Sequence, residues 1–405
     1  MRRLFAFVLF GTVLATTGCG GGGGGSSAQP STVAATPAVT NVQPISVDPG
    51  PAGMVDVAFT SVTICSPGNP ANCQTIDHVQ IDTGSSGLRI MASVLSPSLS
   101  LPQQTDPAGS SVVECAQFAD GYTWGPVKTA NIKIAGEAAN AVPVQTIGDP
   151  AFDSLAPASC SNGLPPENTV QSLGANGLLG IGVFKQDCGS GCASSAIPGF
   201  YYLCPSTGCQ PTALGLTQQL QNPVVLFAGD NNGVLIELPA VPAAGAATLS
   251  GSLVFGIGTQ TNNALGSAKV FTVDPNTGNL ITLFNNQTYS NSYLDSGSNG
   301  FFFADGSIPD CTDAVFFYCP AATLNLSAVI QGINATIGDV GFSVANADIL
   351  FGGSSSGYAV FANLAGTNSD STSFAWGLPF FFGRTIFTAI EGQNTAAGMG
   401  PYVAF

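Results

Sequence analysis

The chain has 405 residues, of which 45% are hydrophobic and only 8% charged, with 51 glycines and a formal net charge of −15. That length suits two domains of ordinary size. Scarce charge and abundant glycine suit many short strands joined by turns better than long helices with charged faces. The acidic balance argues against nucleic acid as a partner and against unaided attraction to an anionic lipid surface.

Arg2 and Arg3 precede an apolar run from Leu4 to Leu14, and ATTGC follows. Basic residues, an apolar core and small residues before a cut describe a secretory signal over residues 1–18. The run is short for a membrane span, which needs about 20 residues. TTGC resembles the lipobox of bacterial lipoproteins, with Thr16 where Leu is usual. The resemblance implies a lipid on Cys19, hence a bilayer partner, and an outer-membrane address because no Asp follows that cysteine. Plain secretion with cleavage near Cys19 is the alternative. Removing residues 1–18 takes two arginines and no acid, leaving six basic and 23 acidic residues and a net charge of −17. Residues 20–52, rich in Gly, Ser, Ala and Pro, read as a flexible tether that buries nothing.

From Met54 onward the pattern is β-rich. VDVAFTSVTI alternates, with Val55, Val57 and Phe59 on one face, and TANIKIAG alternates before turning at Gly136. AKVFTVDPNTGNLITLF reads as a hairpin turning at Asp274–Asn279, and GSLVFGIG as a short strand. The helical candidates are TALGLTQQLQ, ending at Gln221, and LSAVIQGIN, starting at Leu326. Leaving Cys19 aside, ten cysteines remain, an even number that favours disulfides in an exported chain. Local pairs are expected for Cys65–Cys73, Cys204–Cys209 and Cys311–Cys319; the pairing of Cys115, Cys160, Cys188 and Cys192 stays open. The run from Cys188 to Cys209 reads as a stapled loop. Its spacing lacks the Cys-x-x-Cys form of a zinc knuckle, and the chain has one His, so no metal and no cofactor is expected.

Two stretches carry chemistry. VQIDTGSSGLRI places Asp82 at the end of an apolar strand, and SYLDSGSNGFFF repeats the arrangement at Asp295, 213 residues on. Gly84 is expected to let the chain turn sharply. Thr83, Ser85, Ser296 and Ser298 supply hydroxyls that can orient a neighbouring carboxylate; Gly297 matches Gly84. One such turn is an ordinary feature of a β protein. Two, one per half, point to a shared site. Each is followed later by an apolar-apolar-Gly piece: Leu178-Leu179-Gly180 in the first half, and Ala375-Trp376-Gly377 or Phe381-Phe382-Gly383 in the second. Two carboxyls brought within about 3 Å share one proton, so one can act as base and the other as acid on a water and a carbonyl.

Asp82–Ser86 and Asp295–Ser298, with GANGLLGIG (Gly174–Gly182), SGSLVFGIG (Ser250–Gly258), RTIFTAIEG (Arg384–Gly392) and the closing MGPYVAF, resemble the pepsin-like aspartic proteases in order over roughly residues 53–405. The resemblance implies an all-β bilobal double barrel with a cleft between lobes. The division becomes signal peptide 1–18, anchor and tether 19–52, an N-terminal lobe 53–228 and a C-terminal lobe 229–405. It also implies Asp82 and Asp295 as catalytic residues, a peptide or protein substrate, and a monomer. Arg89 stands where the family has Trp. The flap is sought at FADGYTWG, with Phe118 where Tyr is expected, then Asp120 and Gly121; Tyr122 is placed over the cleft instead. Arg89 is read as a holder of a substrate carboxylate, as a cation lowering a nearby acid, or as a surface residue. His78 is read as structural, since no Gly-x-Ser-x-Gly elbow stands near it. Two other functions compete with the peptidase: a catalytically weak peptide-binding lipoprotein on the same scaffold, and a structural envelope lipoprotein.

Overall fold

The computed structural model describes residues 41–352 and 357–405. The signal segment, Cys19 and the tether up to residue 40 lie outside the described residues.

Alternating sequence becomes strand, as expected for chains whose side chains point to opposite faces in turn. Six strands close on themselves in the order Ala58–Cys65, Cys73–Asp82, Gly177–Ile181, Ser86–Met91, Glu137–Ile147 and Tyr122–Ile134, the last pairing back to the first through Ile64 and Ile132. The result is a closed barrel filled by residues such as Val62, Val79, Ile81, Leu88, Val144 and Leu179, none of them exposed. The TANIKIAG turn falls where expected, with Ala135 and Gly136 both at positive φ.

The second half holds a seven-stranded sheet that includes Leu280–Phe284, Gln287–Leu294, Leu324–Gln331 and Ile337–Val344. A further run of strands joins the halves: Val42–Val47, Leu249–Phe255, Gly233–Leu238, Arg384–Ala389, Tyr402–Ala404 and Val270–Thr272, continuous with the barrel through Ala58–Cys65. One hydrophobic core runs from Ile45 to Val403 through both halves. The expected boundary at 228/229 falls between the short turn of helix Pro223–Leu226 and the strand Gly233–Leu238. The molecule is all-β and built on barrel-shaped sheets.

Four expectations are corrected. The tether does not reach residue 52: Val42–Val47 is a strand paired in register with Leu249–Phe255, and Ile45 and Val47 are buried. A linker-like composition hid a period-2 pattern. LSAVIQGIN is no helix but part of the strand Leu324–Gln331, whose inward residues Ala328 and Ile330 are two apart. TALGLTQQLQ forms turns and irregular chain. The hairpin at Asp274–Asn279 is a turn without a hairpin. Asp274 Oδ1 accepts from the N–H groups of Asn276 and Thr277, but Val270–Thr272 pairs with Tyr402–Ala404 while Leu280–Phe284 pairs in the other sheet.

Among the described residues five disulfides form. Cys65–Cys73, Cys204–Cys209 and Cys311–Cys319 are the expected local pairs. The open four pair as Cys115–Cys160 and Cys188–Cys192. The stapled run also contains a short helix, Ser190–Ser194, and a strand, Tyr201–Cys204. Among the described residues no helix is long and apolar enough to cross a membrane.

Candidate active site

The two Asp loops are built alike. In the first half, Val79–Asp82 runs parallel to Gly177–Gly180, and Ser86–Ile90 runs antiparallel on the other side of that strand. In the second half, Tyr293–Leu294 runs parallel to Ala375–Trp376, and Phe301–Phe302 runs antiparallel to it. Each loop therefore straddles a strand that carries a glycine at or just past its C-terminal end, Gly180 and Gly377. A Cβ on Gly180 would lie 2.7 Å from the Ser86 carbonyl carbon, and one on Gly377 would collide with the carbonyl oxygens of Gly300 and Ser298. Of the two candidates in the second half, Ala375-Trp376-Gly377 fills this place; Phe381 and Phe382 are buried in the core.

The loops face and grip each other. Ser296 N–H donates to Thr83 Oγ1 at 2.9 Å, and Thr83 N–H donates to Ser296 Oγ at 3.1 Å. Each hydroxyl then donates to a strand carbonyl in the opposite half, Ser296 Oγ to Ile81 at 2.8 Å and Thr83 Oγ1 to Leu294 at 3.4 Å. Thr83 and Ser296 are buried, so these bonds are unscreened by water.

The grip holds two carboxyls in matched settings. Asp82 accepts from Gly84 N–H at 2.7 Å and from the Ser85 hydroxyl. Asp295 accepts from Gly297 N–H at 2.8 Å and from the Ser298 hydroxyl at 2.7 Å. A Cβ on Gly84 would lie 2.8 Å from Asp295 Oδ1, and one on Gly297 would lie 2.8 Å from Asp82 Oδ1 and 3.0 Å from Asp295 Oδ1. These two glycines are needed for that close approach; neither has the positive φ that the sharp-turn argument expected, which falls on Gly87 instead.

Asp295 is pushed up to about 8, first by burial and then by the like charge of Asp82, which also acts as a hydrogen-bond partner; the bonds from Ser298 and Gly297 oppose the shift. Burial and an adjacent carboxylate are the two causes that raise an acid most.

A cavity of about 340 Å³ opens beside the pair. Its walls include Thr83, Gly84, Ser85, Phe118, Phe184, Phe200, Leu280 and Tyr293. Tyr293 precedes Asp295 by two residues and is pushed up to about 12, mainly by burial. Gln80, its counterpart before Asp82, donates from Nε2 to the Gly297 carbonyl at 2.9 Å. Neither residue carries a motif that marks it in sequence; both become visible only from the two-fold match of the loops.

The expected flap is a hairpin, Ser111–Gln117 with Tyr122–Ile134, closed at its tip by Phe118 N–H donating to the Gly121 carbonyl at 2.8 Å. Phe118 lines the cavity. Tyr122 does not: it is buried beside Trp124, Tyr202 and the Cys115–Cys160 disulfide, because strand alternation turns it to the far face. Asp120 is exposed and faces Glu167, whose side chain also packs where a Cβ on Gly121 would sit. Arg89 is fully buried, with Nη2 2.6 Å from Glu114 Oε1 and 3.7 Å from Asp187 Oδ2. That excludes the surface reading of Arg89. His78 lies half-buried against Phe59, 3.1 Å from Asp77 and 3.4 Å from Asp48, outside the cavity.

Fold and site together define an all-β, barrel-built protein in which two Asp-Thr/Ser-Gly-Ser loops bring two carboxyls together. The chain belongs to the family described as "Protein of unknown function (DUF3443)", which matches residues 37–405. No curated protein matches the chain.

Proposed function

We propose that this protein is an aspartic endopeptidase of the pepsin-like kind, tethered in a bacterial envelope by lipid on Cys19. A peptide lies extended beside the carboxyl pair, with a water held between Asp82 and Asp295. Asp82 takes a proton from that water as it attacks the scissile carbonyl, and Asp295 donates its proton to the carbonyl oxygen. The products of this step are a neutral tetrahedral diol and a pair with its proton now on Asp82. Collapse of the diol, with proton transfer to the amine, breaks the C–N bond. No covalent enzyme intermediate is required. The supporting observation is the raised Asp295 facing Asp82 across a mutual loop grip.

The test is a peptide digest from pH 3 to 9, with and without a transition-state mimic of the pepstatin kind. Cleavage is expected to be blocked by the mimic, to fall as Asp295 loses its proton above about pH 8, and to drop by roughly 10³-fold or more in Asp82→Asn and Asp295→Asn. A second reading, a peptide-binding protein on this scaffold, draws on the flap: its tip offers Phe118 rather than a hydroxyl, and Tyr122 is turned away from the cavity. Tight peptide binding without cleavage at any pH would replace the peptidase with that reading. Unchanged cell-envelope behaviour in the Asp82→Ala/Asp295→Ala double variant, with neither binding nor cleavage, would leave a structural lipoprotein.

A further inference from the structure

The cluster around Arg89 has no part in the chemistry above, yet it joins four segments around the cavity. Arg89 sits on Ser86–Met91, the strand that leaves the Asp82 loop, and Glu114 on Ser111–Gln117, the leading strand of the flap. Asp187 follows the glycine strand behind Asp82, and Tyr201 belongs to the strand paired with the flap's outer edge. Besides its contacts to the two acids, Arg89 donates from Nη1 to the Ser86 carbonyl at 3.1 Å. The Tyr201 hydroxyl donates to Asp187 Oδ1 at 2.7 Å and accepts from Leu220 N–H at 2.7 Å. Gln145 donates from Nε2 to the Glu114 carbonyl at 2.9 Å. The side chains of Arg89 and Glu114 are 3% and 0% exposed, so the bond between them is a fully dry one.

One guanidinium faces two carboxyls. Burial, reinforced by the charge of Glu114, pushes Asp187 well above the usual carboxylate range, Arg89 opposing, and the protonated acid hydrogen-bonds Glu114. The cluster is then a single neutral unit, the condition under which buried charges are tolerated. Even so, Arg89 Nε stays without a partner. A site selected only for stability would favour an apolar filling. What the ion pair adds is direction: a short, charge-assisted bond from the flap strand to the strand that issues from the catalytic loop.

We propose that Arg89 and Glu114 are positioning residues that lock the base of the flap onto the Asp82 loop, so that Phe118 stands over the carboxyl pair before substrate arrives. The kinetic part of this proposal rests on the peptidase reading; the structural part does not. The cluster holds the flap from beneath, while the Cys115–Cys160 disulfide and the 2.6 Å bond from Gln117 Nε2 to the Cys160 carbonyl hold its other side.

The test uses the full chain in two variants, Glu114→Gln, which keeps the shape, and Arg89→Met/Glu114→Leu, which fills the space with apolar groups so that the fold is retained. Amide hydrogen exchange over residues 111–126 is expected to quicken by at least about tenfold in both, with residues 324–344 unchanged. For a cleaved peptide, KM is expected to rise severalfold while kcat in the double variant stays close to wild type, since the carboxyl pair is untouched. Flap exchange indistinguishable from wild type in the double variant overturns the proposal, as does an unaltered KM in an enzyme that cleaves. A wild-type protein that never cleaves removes the peptidase, and exchange alone then decides the lock.

Discussion

At the scale of single residues, two glycines decide whether the acids can meet. Gly84 and Gly297 each occupy the position where any Cβ would press on the opposing carboxyl. Gly84→Ala and Gly297→Ala are therefore expected to fold but to push the pair apart. If the protein is the peptidase proposed above, cleavage should fall by about 100-fold, the loss typical of an angstrom's misplacement at a reacting centre. Asp295, deprived of its charged neighbour, should titrate closer to the ordinary carboxylate range than its value of about 8. Carbon-13 titration of the side-chain carboxyls checks the second expectation independently of any substrate; an unmoved Asp295 would count against the close approach. This role of the glycines was not readable from the motif. Asp-Thr-Gly-Ser announces a turn, and the turn alone explains the glycine until the second loop is seen lying against it.

At the scale of elements, the Asp loops are held by each other. Ser296→Ala would strip the buried Thr83 N–H and Ile81 carbonyl of their partner, with an expected loss of roughly 1–3 kcal/mol in chemical denaturation. Thr83→Val should cost a similar amount through Ser296 N–H. The two should combine with less than additive effect, since they break one reciprocal pair; strict additivity would show that the grip is not a unit. The Asp loops and the glycine strand after the first were legible because strand-turn-strand with small residues is a local signal. The hairpin at Asp274–Asn279 was misread for the same reason. Its turn is local and real, but the strand before it pairs with distant chain, Tyr402–Ala404, while Leu280–Phe284 turns back at Asn285 and Asn286 to pair with Gln287–Leu294. Leu324–Gln331 was misread because LSAVIQ satisfies helical spacing as readily as alternation, and only packing against Ile337–Val344 settles which face is buried.

At the scale of the whole molecule, acids dominate the charge, and several of them are buried. Asp56 is fully buried, its Oδ1 accepting from Phe361 N–H at 2.7 Å, and burial pushes it well up; Asp187 is raised in the same way. Asp295 and Glu167 are each pushed up to about 8, by burial and by the neighbouring Asp82 and Asp120 respectively. An acid raised on folding binds more protons in the native state than in the unfolded one between its ordinary and its folded value. Its stabilising effect is present below the ordinary carboxylate range and is lost as pH rises through the raised value. Asp274 and Asp370 are lowered, but their opposite effect lies below the ordinary range. Thermal stability is therefore expected to be greater near pH 5 than near pH 8.5, and relief of repulsion among 23 acids adds to the trend. Scanning calorimetry across that range checks it; a midpoint that climbs with pH would contradict the assignment of neutral buried acids.

Local order along the chain sufficed for the strand-rich class, three of the five disulfides and the two carboxyls of the site, because alternation, short cysteine loops and Asp-Thr/Ser-Gly turns are written in neighbouring residues. The pairing of Cys115 with Cys160, the burial of Arg89 against Glu114 and Asp187, the inward turn of Tyr122 and the place of Gln80 and Tyr293 were settled by folding. Each depends on which strands become neighbours across tens or hundreds of residues. That choice is made by the closing of a barrel and the filling of one core, so no short window of sequence contains it.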